Sequence, residues 1–337
     1  MMNKYIYTSL EAFGLSKDYL NVDRLSGGHI NQTFRLTYPN DCYVLQVVNS
    51  SVFSSVEDVM DNIHVACEYL NSKGVDTLQY LPTTGGKYYA VTPNREYVRV
   101  CHYVKNSVSY DSSNSLDTIY SAGLSYGKFD STLSSLDSSL IKDTIPNFHD
   151  TKLYFDRLFN AIEHPTDLKK LVQIEPLLEY VQLNYNVCNV VKEMSKQPVH
   201  NDTKFSNVLF DKDSHLKSCV IDLDTIMNGY IYYDYADSIR SMCRTSDSLL
   251  DIDKLLAYSK GFFKYAELPK DLDLLLHCIV AVSLELACRY LFEYVSGGNY
   301  FHLNSPMENY SKADNYIRFV KDVSSKRDEI LKVLAVQ

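Results

Sequence analysis

The stretch Val199-His200-Asn201-Asp202-Thr203-Lys204-Phe205-Ser206-Asn207-Val208-Leu209-Phe210, followed after a polar turn by Cys219-Val220-Ile221-Asp222-Leu223-Asp224, decides the reading of this chain. Two apolar runs flank the polar turn, and a polar loop precedes the first, so the segment reads as a loop feeding a buried hairpin. Folded symmetrically about its turn, the hairpin pairs Asn207 with Asp222, Val208 with Ile221 and Phe210 with Cys219. That register sets Asn207 beside Asp222, with Asp202 on the loop just before them. Two carboxylates and an amide oxygen then converge at one edge of the hairpin. Hard oxygen ligands of this kind suit Mg²⁺, which takes one or two carboxylates plus substrate phosphates. The competing reading is an Asx-rich turn in which Asn201 and Asp202 bond only their own backbone.

Outward from the hairpin, the first hundred residues read as strands around one helix. Gly27-Gly28 precedes the alternating run Thr33-Phe34-Arg35-Leu36-Thr37-Tyr38, and Pro39-Asn40-Asp41 turns the chain into Tyr43-Val44-Leu45-Gln46-Val47-Val48. Val56, Val59, Met60, Ile63, Cys67 and Leu70 recur at three- and four-residue steps, as on an amphipathic helix. Strands are expected again at 88–91 and 97–104, flanking Pro93-Asn94. After the Ser/Asp-rich stretch 106–117 the patterns become helical, over 120–140, 153–162, 171–194, 249–263, 272–294 and 309–334, and one strong strand pair interrupts them. The expected architecture is α+β and two-lobed, with a small β-rich lobe over residues 1–105 and a large helical lobe over 106–337. The cleft between such parts is a favoured ligand site.

Composition narrows the function further. The chain has 337 residues, 22% charged and 45% hydrophobic, which fits a folded protein of about two domains rather than a disordered one. A net charge of −9 with no compensating Lys/Arg run argues against a nucleic-acid partner. Eight cysteines lie scattered without CxxC or Cys/His ligand spacing, so they read as buried thiols in a reducing, cytoplasmic setting. The opening MMNKYIYTSLEAFGL lacks a signal-peptide pattern. The most apolar segment, 272–295, contains His277, Glu285 and Arg289 and reads as a buried helix rather than a membrane span. The 28 tyrosines, set against no tryptophan, carry no functional reading.

The spacing H-x-D-x-x-x-x-N followed by a strand-end Asp is the catalytic-loop and metal-aspartate arrangement of protein kinases. His200-Asn201-Asp202 through Asn207, Ile221-Asp222 and Asp234-Tyr235-Ala236-Asp237 resemble the aminoglycoside phosphotransferase and choline kinase superfamily. More closely, Gly27-Gly28-His29-Ile30-Asn31-Gln32-Thr33-Phe34, Tyr43-Val44-Leu45-Gln46, Phe148-His149-Asp150-Thr151, His200 through Lys204 and Val220 through Thr225 resemble N-acetylhexosamine 1-kinases. The resemblance runs from about Gly27 to Phe301. It implies a protein-kinase-like two-lobed fold and transfer of phosphate from ATP, with Mg²⁺, to the anomeric hydroxyl of N-acetylglucosamine or N-acetylgalactosamine.

On this reading Asp202 is the catalytic base, and Asn207 and Asp222 hold the metal. Gly27 and Gly28 form a phosphate loop lacking the full G-x-G-x-x-G. Gln46 stands where a phosphate-pairing lysine is expected, leaving that charge to Mg²⁺, backbone amides and Lys204. Glu57 and Glu68 then lack a lysine partner and read as a solvated face. Asp224 either supports the metal site or is structural, His200 anchors the loop, and Asp234 and Asp237 read as caps of a following helix. The resemblance places His29, Arg289 and Tyr300 with Asp202 around the sugar. For Arg289 the alternative is an internal ion pair with Glu285, four residues earlier, and both can hold at once with Glu285 orienting Arg289. For Tyr300 the alternative is a core aromatic, and for His29 a solvent-facing loop residue. Two rival functions remain: a kinase for choline, homoserine, a methylthio-sugar or an aminoglycoside, and an inactive nucleotide-binding scaffold, which Gln46 alone supports.

Overall fold

The computed structural model describes residues 9–25, 31–164, 167–216 and 218–336. A five-stranded antiparallel sheet opens it, in the order β1-β2-β3-β5-β4, from β1 (Asn21–Arg24), β2 (Gln32–Thr37), β3 (Cys42–Val48), β4 (Ala90–Val91) and β5 (Tyr97–His102). Period-two alternation forms it: Phe34, Leu36, Leu45, Val47, Val98 and Val100 all point into one small core that Leu10 and Phe13 close. Helix α1 (Val56–Ser72) follows β3, started by Ser55, whose side chain accepts the Asp58 amide. Its apolar face joins the core of the helical lobe rather than that of the sheet. Asn62, buried on that face, donates to the carbonyls of Lys142 (2.8 Å) and Ile226 (2.9 Å), so helix and large lobe are stitched together.

The large lobe is built from α2 (Leu116–Leu133), α3 (Thr151–Glu163), α4 (Leu168–Leu183), α5 (Ile231–Met242), α6 (Ile252–Phe262), α7 (Asp273–Ser296), α8 (Pro306–Ser325) and α9 (Arg327–Leu334). Three long sequence patterns break into shorter elements. The 120–140 pattern ends at Leu133 and resumes as a 3₁₀ turn, Ser138–Leu140, capped by Asp137. The 171–194 pattern breaks at Asn184 into α4 and the 3₁₀ helix Tyr185–Glu193, and the 309–334 pattern breaks at Lys326. α7 is long and apolar enough to cross a membrane, but 78% of its apolar window is buried inside the molecule. All eight cysteines are free thiols, and only Cys42 is not fully buried.

The expected single strand pair is richer than its sequence suggests. A three-stranded sheet has the order β6-β8-β9, from β6 (Ser107–Val108), β8 (Val208–Asp211) and β9 (Ser218–Val220). A separate ribbon pairs β7 (Gln197–Val199) with β10 (Met227–Gly229). The catalytic-type loop therefore leaves β7 and enters β8, and the second aspartate lies between β9 and β10.

Candidate active site

The loop after β7 is shaped by buried polar groups. His200 has no exposed surface; its Nδ1 accepts the Asp202 amide at 3.1 Å and its Nε2 donates to the Ile221 carbonyl at 2.9 Å. Burial pushes this imidazole below its ordinary pKa, so it is the neutral anchor expected of it. Asn201 adopts a left-handed backbone, φ +66°, and donates its side-chain amide to the Thr225 carbonyl at 3.0 Å. The backbone amides of His200 and Asn201 both donate to the buried Asp234 carboxylate, at 2.8 and 3.0 Å. Asp234 and Asp237 are thus not caps: α5 begins at Ile231, both lie inside it, and Asp234 spends its charge on the loop. Asp237 receives Arg240 through Nε at 2.9 Å, and Arg240 also donates to the Tyr316 hydroxyl at 2.9 Å.

Asp202, Lys204, Asn207 and Asp222 meet at the end of this loop. Lys204 Nζ lies 2.9 Å from Asp202 Oδ2, and Asn207 donates to the Asp202 carbonyl (2.9 Å) and carboxylate (3.1 Å). Burial would raise the Asp202 pKa, but Lys204 overrides it and holds the carboxyl below the ordinary value, as an anion. The hairpin register differs by one residue from the symmetric expectation: Val208 pairs with Val220 and Leu209 with Cys219. Asp211 takes up the difference, gathering the amides of Asp213 and Ser214 into an asymmetric turn. Asn207 therefore faces Ile221, whose amide donates to its carbonyl at 2.9 Å. Asp222 falls one residue later, in a left-handed conformation with φ +60° that breaks the strand and re-aims its side chain. Burial, then the neighbouring Asp224 and Asp202 carboxylates, push Asp222 up to about 6. No protein donor among the described residues bonds its carboxylate or the Asn207 Oδ1. A crowded carboxylate and a spare amide oxygen fit a divalent cation, which would relieve that repulsion.

Both ends of the Gln46 amide are engaged, and one Nε2 hydrogen is left over. Its Oε1 accepts Arg99 Nε at 2.9 Å, and its Nε2 donates to Thr33 Oγ1 at 3.2 Å. Gln46 and Arg99 are register partners across β3 and β5, which brings a guanidinium to the place where β3 lacks its cation. Arg99 is 1% exposed, ion-pairs with Asp224 and lies 5.6 Å over the Tyr80 ring. Burial would lower the guanidinium pKa, but Asp224 overrides it and keeps the group charged. The other Asp224 oxygen accepts Asn31 Nδ2 at 2.6 Å, so Asp224 bridges the two lobes. Glu57 accepts the Tyr97 hydroxyl at 2.8 Å, while Glu68 is exposed as expected. Gly27, Gly28 and His29 lie outside the described residues.

Arg289 and Tyr300 do come together. The Arg289 guanidinium sits over the rings of Tyr154 (5.0 Å), Tyr300 (5.4 Å) and Phe301 (5.5 Å). Phe301 stacks on Tyr290 and Tyr290 on Tyr316, with ring centroids 4.0 and 5.9 Å apart, and Tyr290 lies in the fields of Arg240, Arg289 and Lys204. This aromatic strip thus runs from Arg289 toward the catalytic loop. Tyr300 is 54% exposed and so is not a core aromatic. The expected pair between Glu285 and Arg289 does not form. Glu285 is claimed by His149 Nδ1 at 3.1 Å and Thr151 Oγ1 at 3.0 Å, leaving Arg289 without an ion pair among the described residues. Burial opposes protonation of His149, but Glu285 raises it to about 9, so the imidazolium also donates Nε2 to the Asn201 carbonyl at 3.0 Å. A cleft of about 320 Å³ opens beside it, lined by Phe148, His149, Thr151, Asn201, Met227 and Tyr230 among others.

Sequence reasoning missed Arg99 and the His149–Glu285 pair. Each left a signal: an arginine inside the apolar run Val98 to Cys101, and an acid on the apolar helix around Ala287.

The fold and this loop define a kinase-like phosphotransferase. The chain belongs to the phosphotransferase enzyme family, whose model matches residues 21–268. Solved structures share the fold over nearly their whole length. A microcompartment-associated aminopropanol kinase matches with TM-score 0.69 at 14% identity, covering 95% of this chain and 97% of its own. Spectinomycin phosphotransferase APH(9)-Ia, in complex with ADP and spectinomycin, gives 0.67 at 12%, covering 97% and 99%. Choline kinase LicA from Streptococcus pneumoniae gives 0.58 at 14%, covering 93% and 98%.

Proposed function

We propose that this protein transfers the γ-phosphoryl group of ATP, with Mg²⁺, to the anomeric hydroxyl of an N-acetylhexosamine. The convergence of Asp202, Asn207 and Asp222 at the loop end carries the reading. Asp202, held as an anion by Lys204, accepts the proton of the attacking hydroxyl. Asp222 and Asn207 would hold the metal, which supplies positive charge to the phosphates. Lys204 stands beside the base, where the transferred group gathers negative charge. Gly27 and Gly28 would cover the phosphates and His29 would contact the sugar, and the two lobes are taken as residues 1–105 and 106–337. Gln46 would meet the phosphates with the Nε2 hydrogen that Thr33 leaves over.

The sugar reading is favoured over the amine alcohols by Arg289. An aromatic cage recognises a quaternary ammonium when it is empty of other cations, and here a guanidinium fills it. Arg289 and Tyr300 instead offer donors and stacking surface to hydroxyl and acetamido oxygens.

ATP consumption measured over a panel of N-acetylglucosamine, N-acetylgalactosamine, choline, homoserine, a methylthio-sugar and an aminoglycoside tests this, with turnover expected for the hexosamines. Arg289→Ala should raise the KM for the sugar far more than that for ATP. Turnover of an amine alcohol in preference to both sugars would overturn the reading.

A further inference from the structure

Asp130 lies on α2, one turn from Tyr126 and beside Phe129, whose rings both pack on His200. It is fully buried, and neither of its oxygens meets a hydrogen-bond donor. Its surroundings are the Asp234 carboxyl and the His200 amide. Asp234 is also fully buried, and its two oxygens already receive the His200 and Asn201 amides at 2.8 to 3.1 Å. Two buried carboxyls side by side cannot both ionise, and an orphaned carboxylate is costly; one proton shared between them solves both problems.

We propose that Asp130 is a positioning residue: protonated, it donates its hydrogen to Asp234 and so fixes the acceptor that holds the His200 and Asn201 amides of the catalytic loop. The negative charge then rests on Asp234, where backbone donors meet it. The inference stands on the loop geometry and is independent of which acceptor is phosphorylated. The groups facing the pair are His200 and Asn201 on the loop, Asp237 on α5, Tyr258 on α6, Tyr126 on α2 itself, and the His149 imidazolium. Of these, only His149 brings a positive charge of its own; Tyr126 and Tyr258 are held neutral by burial.

Burial lifts Asp130 from 3.8 to about 8 and lifts Asp234 as well. Since the folded value is raised, the stability from this proton is fully present below the ordinary carboxyl value and is lost as pH rises through about 8. The test compares the full chain with Asp130→Asn, which keeps a permanent donor toward Asp234, and with Asp130→Ala, which keeps none.

Thermal melting between pH 5 and 9 should show the wild type losing stability relative to Asp130→Asn as pH rises. At neutral pH, hydrogen exchange at the His200 and Asn201 amides should rise about five- to thirty-fold in Asp130→Ala and be restored in Asp130→Asn. Parallel melting curves for wild type and Asp130→Asn would overturn the shared proton, and unchanged loop exchange in Asp130→Ala would overturn the positioning role. Should Asp130→Ala fail to fold, the melting comparison alone decides.

Discussion

At the scale of single residues, Asp202 differs from Asp222 in being hydrogen-bonded to a cation. Lys204 at 2.9 Å keeps it ionised, whereas Asp222, crowded by Asp224 and Asp202, is pushed toward neutrality. On the proposed function the two carboxyls would do different work, one accepting a proton and the other meeting a metal charge. Replacing Asp202 by Asn keeps the size and the Asn207 contact but removes the basic oxygen. Turnover should fall about 10²–10⁴-fold, with the melting temperature and ATP affinity nearly unchanged. Steady-state kinetics and a nucleotide-binding titration check this, and a variant that keeps most of the wild-type kcat would remove Asp202 from the role of base.

Among the elements, α2 and α6 matter most, because α2 carries Tyr126, Phe129 and Asp130 to the loop. They pack backbone against backbone. A Cβ built at Gly127 would stand 2.2 Å from the Phe262 carbonyl oxygen, and one at Gly123 would stand 2.3 Å from that of Tyr258. Gly261 answers from α6, where a Cβ would come within 2.2 Å of the Tyr120 carbonyl oxygen. The opposing groups are main chain and cannot rotate away, so Gly127→Ala must push the helices apart. Overpacking of this kind costs about 1–3 kcal/mol, and urea denaturation should show a loss of that size. Because α2 also positions the loop, activity should fall further than the unfolded fraction explains. A Gly127→Ala protein as stable as the wild type would show that the two helices can separate freely.

For the molecule as a whole, the two cores differ in kind. The sheet closes a small one of its own, while α1 is absorbed into the core of the helical lobe. The sheet is tied back through a buried polar bridge in which Arg99, held by Gln46, and Asn31 meet Asp224 beside Asp222. Removing one partner of a buried ion pair leaves the other charged and unpaired, at a cost of about 3–5 kcal/mol. Arg99→Leu should therefore lower stability by that amount in urea melts. Arg99→Lys should recover only part of it, since an ammonium cannot serve Gln46 and Asp224 with one planar fork. Wild-type stability in Arg99→Leu would mean that the bridge contributes nothing to joining the lobes.

The sequence by itself determined the elements whose signal is local. Alternation at 32–37 and 42–48, the helical periodicity from Val56, and the loop from His200 to Asn207 all depend on neighbours within a few residues. The α+β class and the placing of Asp202 beside Asn207 followed from them. What tertiary structure decided were matters of partnership over long separations. The register of the β8–β9 hairpin turned on how Asp211 closes its turn, and a one-residue slip changes which side chain faces which. Glu285 went to His149 rather than to Arg289, although helical spacing offered it the latter. Asp234 left its own helix end to hold a loop more than thirty residues away. For Glu285 and Asp234 a buried charge took the partner that the assembled lobe brought within reach, because burial makes an unpaired charge costlier than a local preference.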